Sequence, residues 1–318
     1  MKRKSMKKAK LNIVTTLLRQ VIATLCGIVI PRVMIGAFGS VIYGATQSIA
    51  QFLSYISLFE GGIGRVARGE LYGPLAERDY DRISRIHRAV KRFFKGLGLV
   101  FVVYAIVLAI FYFDIAGITT MTRGYTFGLV LAISLSTLAN YMFGIANLTL
   151  MNADQKQSNL IIPITTMLNT LCIVVLVMAK TDVLTVKLVS SLVFIARPVC
   201  YARHVKKHYP LPRAERDPSV LSQKWTGMGQ HIAYFLHTNT DIVLLTLFAD
   251  LKIVAVYSVY LMVAKSIWNI ASSFSGGMEA AFGEMIAKQE QQRLQTAYGR
   301  YKALLTAVTL VLFGGAMV

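Results

Sequence analysis

Acidic residues are scarce in this sequence. Asp and Glu supply 15 of the 318 residues against 34 Lys and Arg, a formal net charge of +19 at pH 7, and charged residues of both signs make up only 15%. With 55% hydrophobic residues and a mean hydropathy of +0.55, this excludes an ordinary water-soluble domain, in which about 25% of residues are charged. Cysteine is almost missing as well. Cys26, Cys172 and Cys200 all fall inside apolar runs without paired spacing, so they suggest neither a disulfide framework nor a zinc site and read as small packing residues.

Several chemical signatures are also absent. There is no glycine loop ending in Lys to cradle nucleotide phosphates. There is no His-x-x-x-His or cysteine cluster for a metal, and no Ser, His and Asp set in a nucleophile context. The connections expected outside the membrane are too short to build a catalytic site for lipid-linked sugars. The chain therefore reads as a non-enzyme that needs no cofactor and no metal. In a soluble protein its basic excess would suggest nucleic acid. Here Lys and Arg lie between apolar runs, so no nucleic-acid partner is expected.

What the sequence does have is long apolar runs. A span needs about 20 mostly apolar residues to cross ~30 Å of hydrocarbon, and about nine runs qualify. They cover 11–35, 41–63, 96–117, 125–150, 160–179, 183–201, 231–249, 253–275 and 303–318. The first follows a basic N-terminus, as a secretory signal would. It is too long for a signal core, contains Arg19 and lacks an A-x-A cleavage site, so it reads as the first span. The expected fold is all-α: a polytopic integral membrane protein.

Orientation follows from the basic residues, which are retained on the cytoplasmic side. About 26 of the 34 Lys and Arg fall in the N-terminus and in every second connection, against about four (Arg123, Lys180, Lys187, Lys252) in the others. The N-terminus is thus expected to be cytoplasmic. Two cytoplasmic connections are long. The stretch 65–95 carries Ile83, Ile86, Val90, Phe93, Phe94 and Leu97 at helical spacing, with Arg82, Arg85, Arg88 and Arg92 among them. An amphipathic helix on the membrane surface is expected there within 64–95, with Pro74 near its start, facing anionic membrane lipids or simply solvated. The other long connection holds Pro210, Pro212 and Pro218 among charges and reads as a linker between two helix bundles. This divides the chain into a first six-helix bundle (1–203), a cytoplasmic linker (204–230) and the first half of a second bundle (231–318). The last run stops at Val318 with no polar flank, leaving its final carbonyls without partners in lipid. The sequence is therefore expected to be truncated at its C-terminus.

Ionised side chains at mid-span are penalised by roughly 2.5 to 3.5 kcal/mol on insertion scales, so those present mark where function should be sought. Arg19, Arg32, Arg197, Asp241 and Lys265 qualify, with His237 beside them. Tyr234, His237 and Asp241 share one face of the seventh span. Ser258, Met262, Lys265, Asn269, Ser272 and Gly276 form a polar or small stripe on the eighth. A tight turn joins these two spans, which predicts Asp241 and Lys265 as neighbours, either as an ion pair holding two helices or as an ion-coupled, substrate-facing pair. Tyr43, Gln47, Gln51 and Ser54 line one face of the second span, and Ser136, Asn140 and Asn147 one face of the fourth. Such stripes serve as helix-to-helix glue or as the wall of a wet cavity. Pro31, Pro163 and Pro198 would kink their helices.

The stretch Pro31-Arg32, Gly36, Gly39, Tyr43-Gly44 resembles the motif at the first external turn of Wzx-like polysaccharide flippases, in the multidrug/oligosaccharidyl-lipid/polysaccharide exporter superfamily. Asn239-Thr240-Asp241 followed by Val254-Ala255-Val256-Tyr257-Ser258 resembles that family's seventh and eighth helices, and the likeness of pattern covers nearly the whole chain. The resemblance implies two bundles around a central cavity that opens alternately to each side of the bacterial cytoplasmic membrane. It also implies a polyprenyl-pyrophosphate-linked oligosaccharide as cargo, for surface polysaccharide synthesis, with glycosyltransferases and a polymerase as partners. Arg19, Arg32, His237 and Lys265 would meet the diphosphate, and Gln47, Gln51, Asn140 and Asn269 the sugars. A drug or cation antiporter coupled through Asp241 and a non-transporting scaffold for cell-wall or spore-coat assembly are the alternatives. The family has about twelve to fourteen spans where this chain has about nine. A reporter active only in the cytoplasm is expected to work when fused after Lys95 and to stay silent after Thr122 or Thr181. Activity at either of the last two would break the alternation.

Overall fold

In hydrocarbon a backbone amide has no water to turn to, so apolar runs satisfy their amides within helices. The computed structural model describes residues 2–153, 158–212, 228–287 and 291–316, and among these residues it contains helices and no strand. In order, the helices are α1 (Lys2–Phe38), α2 (Ser40–Ser54), α3 (Ile63–Glu77), α4 (Tyr80–Ile115), α5 (Arg123–Ala139), α6 (Ile145–Ala153), α7 (Ser158–Met178), α8 (Val183–His208), α9 (Met228–Phe248), α10 (Leu251–Ala287) and α11 (Gln291–Ala316). A 3-10 turn, Tyr55–Glu60, follows α2, and a π-turn, Asn140–Gly144, joins α5 to α6. The chain is an all-α, multi-pass membrane protein. Six helical stretches among the described residues are long and apolar enough to span a bilayer: Gln20–Phe38, Tyr80–Ile115, Arg123–Ala153, Ile161–Met178, Val183–His208 and Leu251–Asn269. The runs at 41–63, 231–249 and 303–318 fall outside that set for identifiable reasons. α2 ends after 15 residues, α9 carries the polar group His237 to Asp241, and α11 opens with a polar stretch.

The chain divides into two compact units, Met1–Ile28 with Val259–Val318, and Val29–Ser258. In the smaller unit α1 and α10 approach closely at Gly27, where an added Cβ would stand 3.0 Å from Met262 Sδ. In the larger unit α8 packs along α5 and α7, and α4 along α5. Ser191 on α8 donates to the Ala132 carbonyl on α5 at 2.6 Å. Two tyrosines of α4 tie it to α2: Tyr104 donates to the Phe52 carbonyl at 2.7 Å and Tyr112 to that of Ala45 at 3.3 Å. Asp182 caps α8, accepting from the Thr185 hydroxyl, from the Thr185 amide at 3.4 Å and from the Tyr125 phenol at 3.0 Å. These bonds, that of the Thr185 hydroxyl first, hold its carboxyl below the usual carboxylate range.

The expected surface helix at 64–95 takes a different form. The stretch folds as a hairpin of α3 and the first part of α4, and Pro74 lies near the end of α3. The chain turns at Arg78, whose φ of 59° is left-handed, and Asp79 caps α4 by accepting from Arg82 N at 2.9 Å. Ile83, Ile86, Val90, Phe94 and Leu97 are buried against protein, where they join α4 to α3 and α6. Their stripe stays in phase with the apolar stripe of the third span, so one unbroken helix buries both and no apolar face is left to lie on the bilayer. Of the expected linker at 204–230, residues 213–227 lie outside the described residues. The carbonyl of Pro212, just before them, accepts from buried Ser84 at 2.6 Å.

Two glycines of the Pro31 to Gly44 stretch have physical roles. Gly39, at φ 83°, separates α1 from α2. Gly44 lets α2 touch the start of α10: an added Cβ would stand 1.8 Å from the Leu251 carbonyl oxygen. Because the clash is with backbone, Gly44→Ala is expected to destabilise the full chain by about 1–3 kcal/mol, read as a lowered melting temperature in detergent. Gly36→Ala, which meets nothing within 4 Å, should leave it unchanged.

Candidate functional site

The site begins with the break in the fourth apolar run. A π-turn is wider than an α-turn, displaces the residues beyond it from helical register and is common at functional positions. In a regular helix Ser136, Asn140 and Asn147 would share a face. With the turn at Asn140–Gly144, Ser136 and Asn140 face a cavity of about 310 Å3, which Asn147 does not line. Asn147 is instead buried against α4, where its Oδ1 meets His87 Nε2 at 2.9 Å and its amide donates to the Phe143 carbonyl at 2.9 Å. Gly144 permits the arrangement, since a Cβ there would fall 2.1 Å from Asn140 Oδ1 and 3.2 Å from Pro198 Cβ.

The cavity is also lined by Glu60, Thr137, Tyr141, Phe194, Arg197 and Tyr201. Gly61 and Gly62, at φ 59° and 78°, turn the chain directly after Glu60, a conformation that a side-chain-bearing residue adopts only with strain. The Tyr141 phenol donates to Glu60 Oε1 at 2.6 Å. Arg197 is held from α7: its Nε donates to Thr165 Oγ1 at 2.7 Å and its Nη2 to Thr166 Oγ1 at 2.8 Å. Both threonine hydroxyls donate in turn to their own helix at the Ile162 carbonyl, which orients their lone pairs toward the guanidinium. The guanidinium carbon lies 4.2 Å from the centre of the Phe194 ring, a cation–π distance. Glu60, the fourth apolar run, α7 and α8 thus line a half-open polar chamber with one carboxylate, one guanidinium, amide and hydroxyl groups, and aromatic rings. This set suits a polar or zwitterionic guest.

A second polar cluster joins α2 and its 3-10 turn to α9. Ser48 and Thr246 hydroxyls lie 2.7 Å apart, Gln51 Nε2 donates to Asn239 Oδ1 at 3.2 Å, and Tyr55 donates to Thr240 Oγ1 at 3.3 Å. His231 Nε2 lies 3.0 Å from the Ser57 carbonyl. The predicted residues therefore separate. Gln51 is part of this seam, Gln47 is half-buried beside it on α2, and Tyr43 is buried. Asn140 belongs to the chamber. Arg32 is exposed on α1 next to buried Pro31, and His237 and Asp241 are exposed on α9. Asp241 accepts a hydrogen bond from Tyr257 on α10, a partner that sequence spacing did not suggest. Lys265 and Asn269 are exposed on the part of α10 that belongs to the smaller unit. The side chains of Arg19, Ser272 and Gly276 lie outside the described residues.

Sequence reasoning missed Glu60 because it stands at the end of an apolar run, where an acid reads as a boundary. It noted Arg197 without a partner, and the adjacent pair Thr165-Thr166 on the preceding span was the available signal. If the bond from Tyr141 holds the chamber together, Tyr141→Phe and Glu60→Gln are expected to destabilise the chain non-additively. The coupling energy expected in thermal melts of the two single variants and the double variant is about 1–3 kcal/mol.

No protein-family model matches the chain, and no curated protein does. Among solved structures, that of the MATE multidrug transporter DinF-BH, solved as a complex, is similar, with a TM-score of 0.62 at 15% sequence identity, over 97% of this chain and 71% of that one. At that identity the likeness is one of fold: this chain has the helical architecture of that transporter.

Proposed function

We propose that this chain is a membrane exporter that moves an anionic, lipid-linked oligosaccharide by alternating access, with a polyprenyl pyrophosphate as the lipid carrier. The observation that carries the reading is an asymmetry of charge. The carboxylates of Glu60 and Asp241 each accept from a tyrosine hydroxyl. Arg32 and Lys265 are exposed on apolar helices with no hydrogen-bond or ion-pair partner among the described residues. A cation kept in an apolar helix at roughly 2.5 to 3.5 kcal/mol of insertion penalty needs a compensating anion. A diphosphate supplies one through charge-assisted hydrogen bonds, bidentate where arginine is used. In this reading Arg19, Arg32, His237 and Lys265 serve the diphosphate. Gln47, Gln51, Asn140 and Asn269 serve the sugars while the polyprenyl tail stays in lipid, and glycosyltransferases and a polymerase act before and after. The fold likeness to a MATE transporter supports an exporter architecture.

A second reading, a drug exporter, is favoured by that transporter's name and by the presence of Asp241 and Glu60, either of which suits a cationic guest. The two readings differ in what is carried. In cells that depend on this chain for surface polysaccharide, Arg32→Ala and Lys265→Ala are each expected to lower export roughly tenfold, the effect of about 1.4 kcal/mol, with lipid-linked intermediates accumulating inside. Lys265→Arg should restore part of it. Unaltered polysaccharide in both alanine variants, together with efflux of a lipophilic cationic dye by the unmodified chain, would replace the first reading with the second.

A further inference from the structure

One face of α4 changes character along its length without a break in the helix. On that face Lys91, Arg92, Lys95 and Gly96 are exposed. The same face continues into Leu99, Val100, Val103, Ile106, Val107 and Ile110, each 43% to 64% exposed. The opposite face is shut: Val90, Phe94 and Phe101 are at most 1% exposed. Between Asp81 and Asp114 α4 contains no acidic residue. Lys91, Arg92 and Lys95 have no hydrogen-bond or ion-pair partner among the described residues, whereas Arg82, farther out, reaches Glu70 at 3.8 Å. At Gly96 an added Cβ would meet nothing within 4 Å, so the surface between the basic and the apolar residues is open.

Distances along the helix decide which charges matter. At ~1.5 Å per residue, Lys95 stands about 6 Å and Arg92 about 10 Å beyond Leu99, while Arg85 stands about 21 Å away. The headgroup zone on each side of a bilayer is roughly 5 to 7 Å deep, and charges in physiological salt are screened over about 8 Å. With the hydrocarbon boundary placed at Leu99, where the exposed apolar face begins, Lys95, Arg92 and Lys91 lie in or just above the headgroups, and Arg85 and Arg82 do not.

We propose that Lys91, Arg92 and Lys95 form a lateral site for an anionic phospholipid of the surrounding bilayer. Its headgroup rests over Gly96 against the three cations, and its acyl chains lie along Leu99, Val103 and Ile106. An amphiphile with an anionic head and apolar tails matches both halves of the face, which a soluble anion or an acidic peptide would not. Each basic residue near an anionic membrane surface contributes roughly fivefold in affinity, and the preference weakens with salt.

The test uses the full chain with Cys26, Cys172 and Cys200 replaced by serine, a fluorophore on Leu99→Cys or, as a control far along the same face, on Ile110→Cys, reconstituted in phosphatidylcholine nanodiscs. Brominated phosphatidylglycerol is expected to quench the label at position 99 at a roughly hundredfold lower fraction than brominated phosphatidylcholine, and to show no such preference at 110. Lys91→Gln, Arg92→Gln and Lys95→Gln should each reduce the preference by about fivefold, and the triple variant should abolish it. Lys206→Gln with Lys207→Gln should not change it. The single variants suffice if the triple one does not insert. Equal quenching by both lipids at position 99, or a preference that survives neutralisation, would overturn the proposal. So would displacement of the brominated lipid by a polyprenyl pyrophosphate but not by unlabelled phosphatidylglycerol, which would make the face a cargo contact.

Discussion

A polar group inside a bilayer must find its partner in the protein, and the larger unit is organised by how its polar side chains meet that demand. The backbone is satisfied by helices, so the choice falls on side chains. Three solutions recur. Serine and threonine hydroxyls donate back to their own helix, as Thr165, Thr166 and Thr246 do, which leaves lone pairs to accept from a neighbour. Tyrosines on α4 donate across to carbonyls of α2. Carboxylates take a tyrosine hydroxyl from another element, as Glu60 takes Tyr141 and Asp241 takes Tyr257.

These solutions link local chemistry to packing. Arg197 is placed by two threonines that are themselves fixed to α7, so the guanidinium is positioned by a rigid helix and is not left to search for an anion. Gly98 lets α4 come close to the fourth span at Tyr141, whose hydroxyl reaches Glu60. A Cβ at position 98 would stand 3.3 Å from that of Tyr141. Phe94 and Phe101 of α4 pack on the Tyr141 ring with centroids 6.1 Å and 5.7 Å away. One aromatic side chain therefore serves both the core and the chamber, with its ring in the first and its hydroxyl in the second.

The all-α, membrane-spanning character was legible in the sequence because hydropathy acts through free energies summed over about 20 residues, so single errors average out. The chamber was not legible, because it depends on shifts of one residue. Ser136, Asn140 and Asn147 read as one face until the π-turn separates Asn147 from the other two. The run at 41–63 reads as one helix until Tyr55–Glu60 tightens into a 3-10 turn and carries Glu60 to the chamber wall. The stretch 64–95 is helical and amphipathic, as its periodicity indicates. What periodicity alone could not tell was whether its apolar side meets lipid or protein, since both accept the same residues.

The seam between α2 and α9 is held by a different kind of contact from the pairs above. Its hydrogen bonds, Ser48 with Thr246, Gln51 with Asn239, Tyr55 with Thr240 and His231 with the Ser57 carbonyl, use no carboxylate, Lys or Arg, and Glu60 acts on His231 only through its field. Interhelical hydrogen bonds in membranes average about 0.6 kcal/mol, so together they contribute roughly 2 to 3 kcal/mol. That is the scale separating the populated states of a two-state protein, a few kcal/mol. A buried ion pair in the same place would resist opening much more strongly, because parting it leaves two uncompensated charges in a medium that penalises each. Hydrogen bonds of this strength hold two helices in register and still allow them to separate at modest cost.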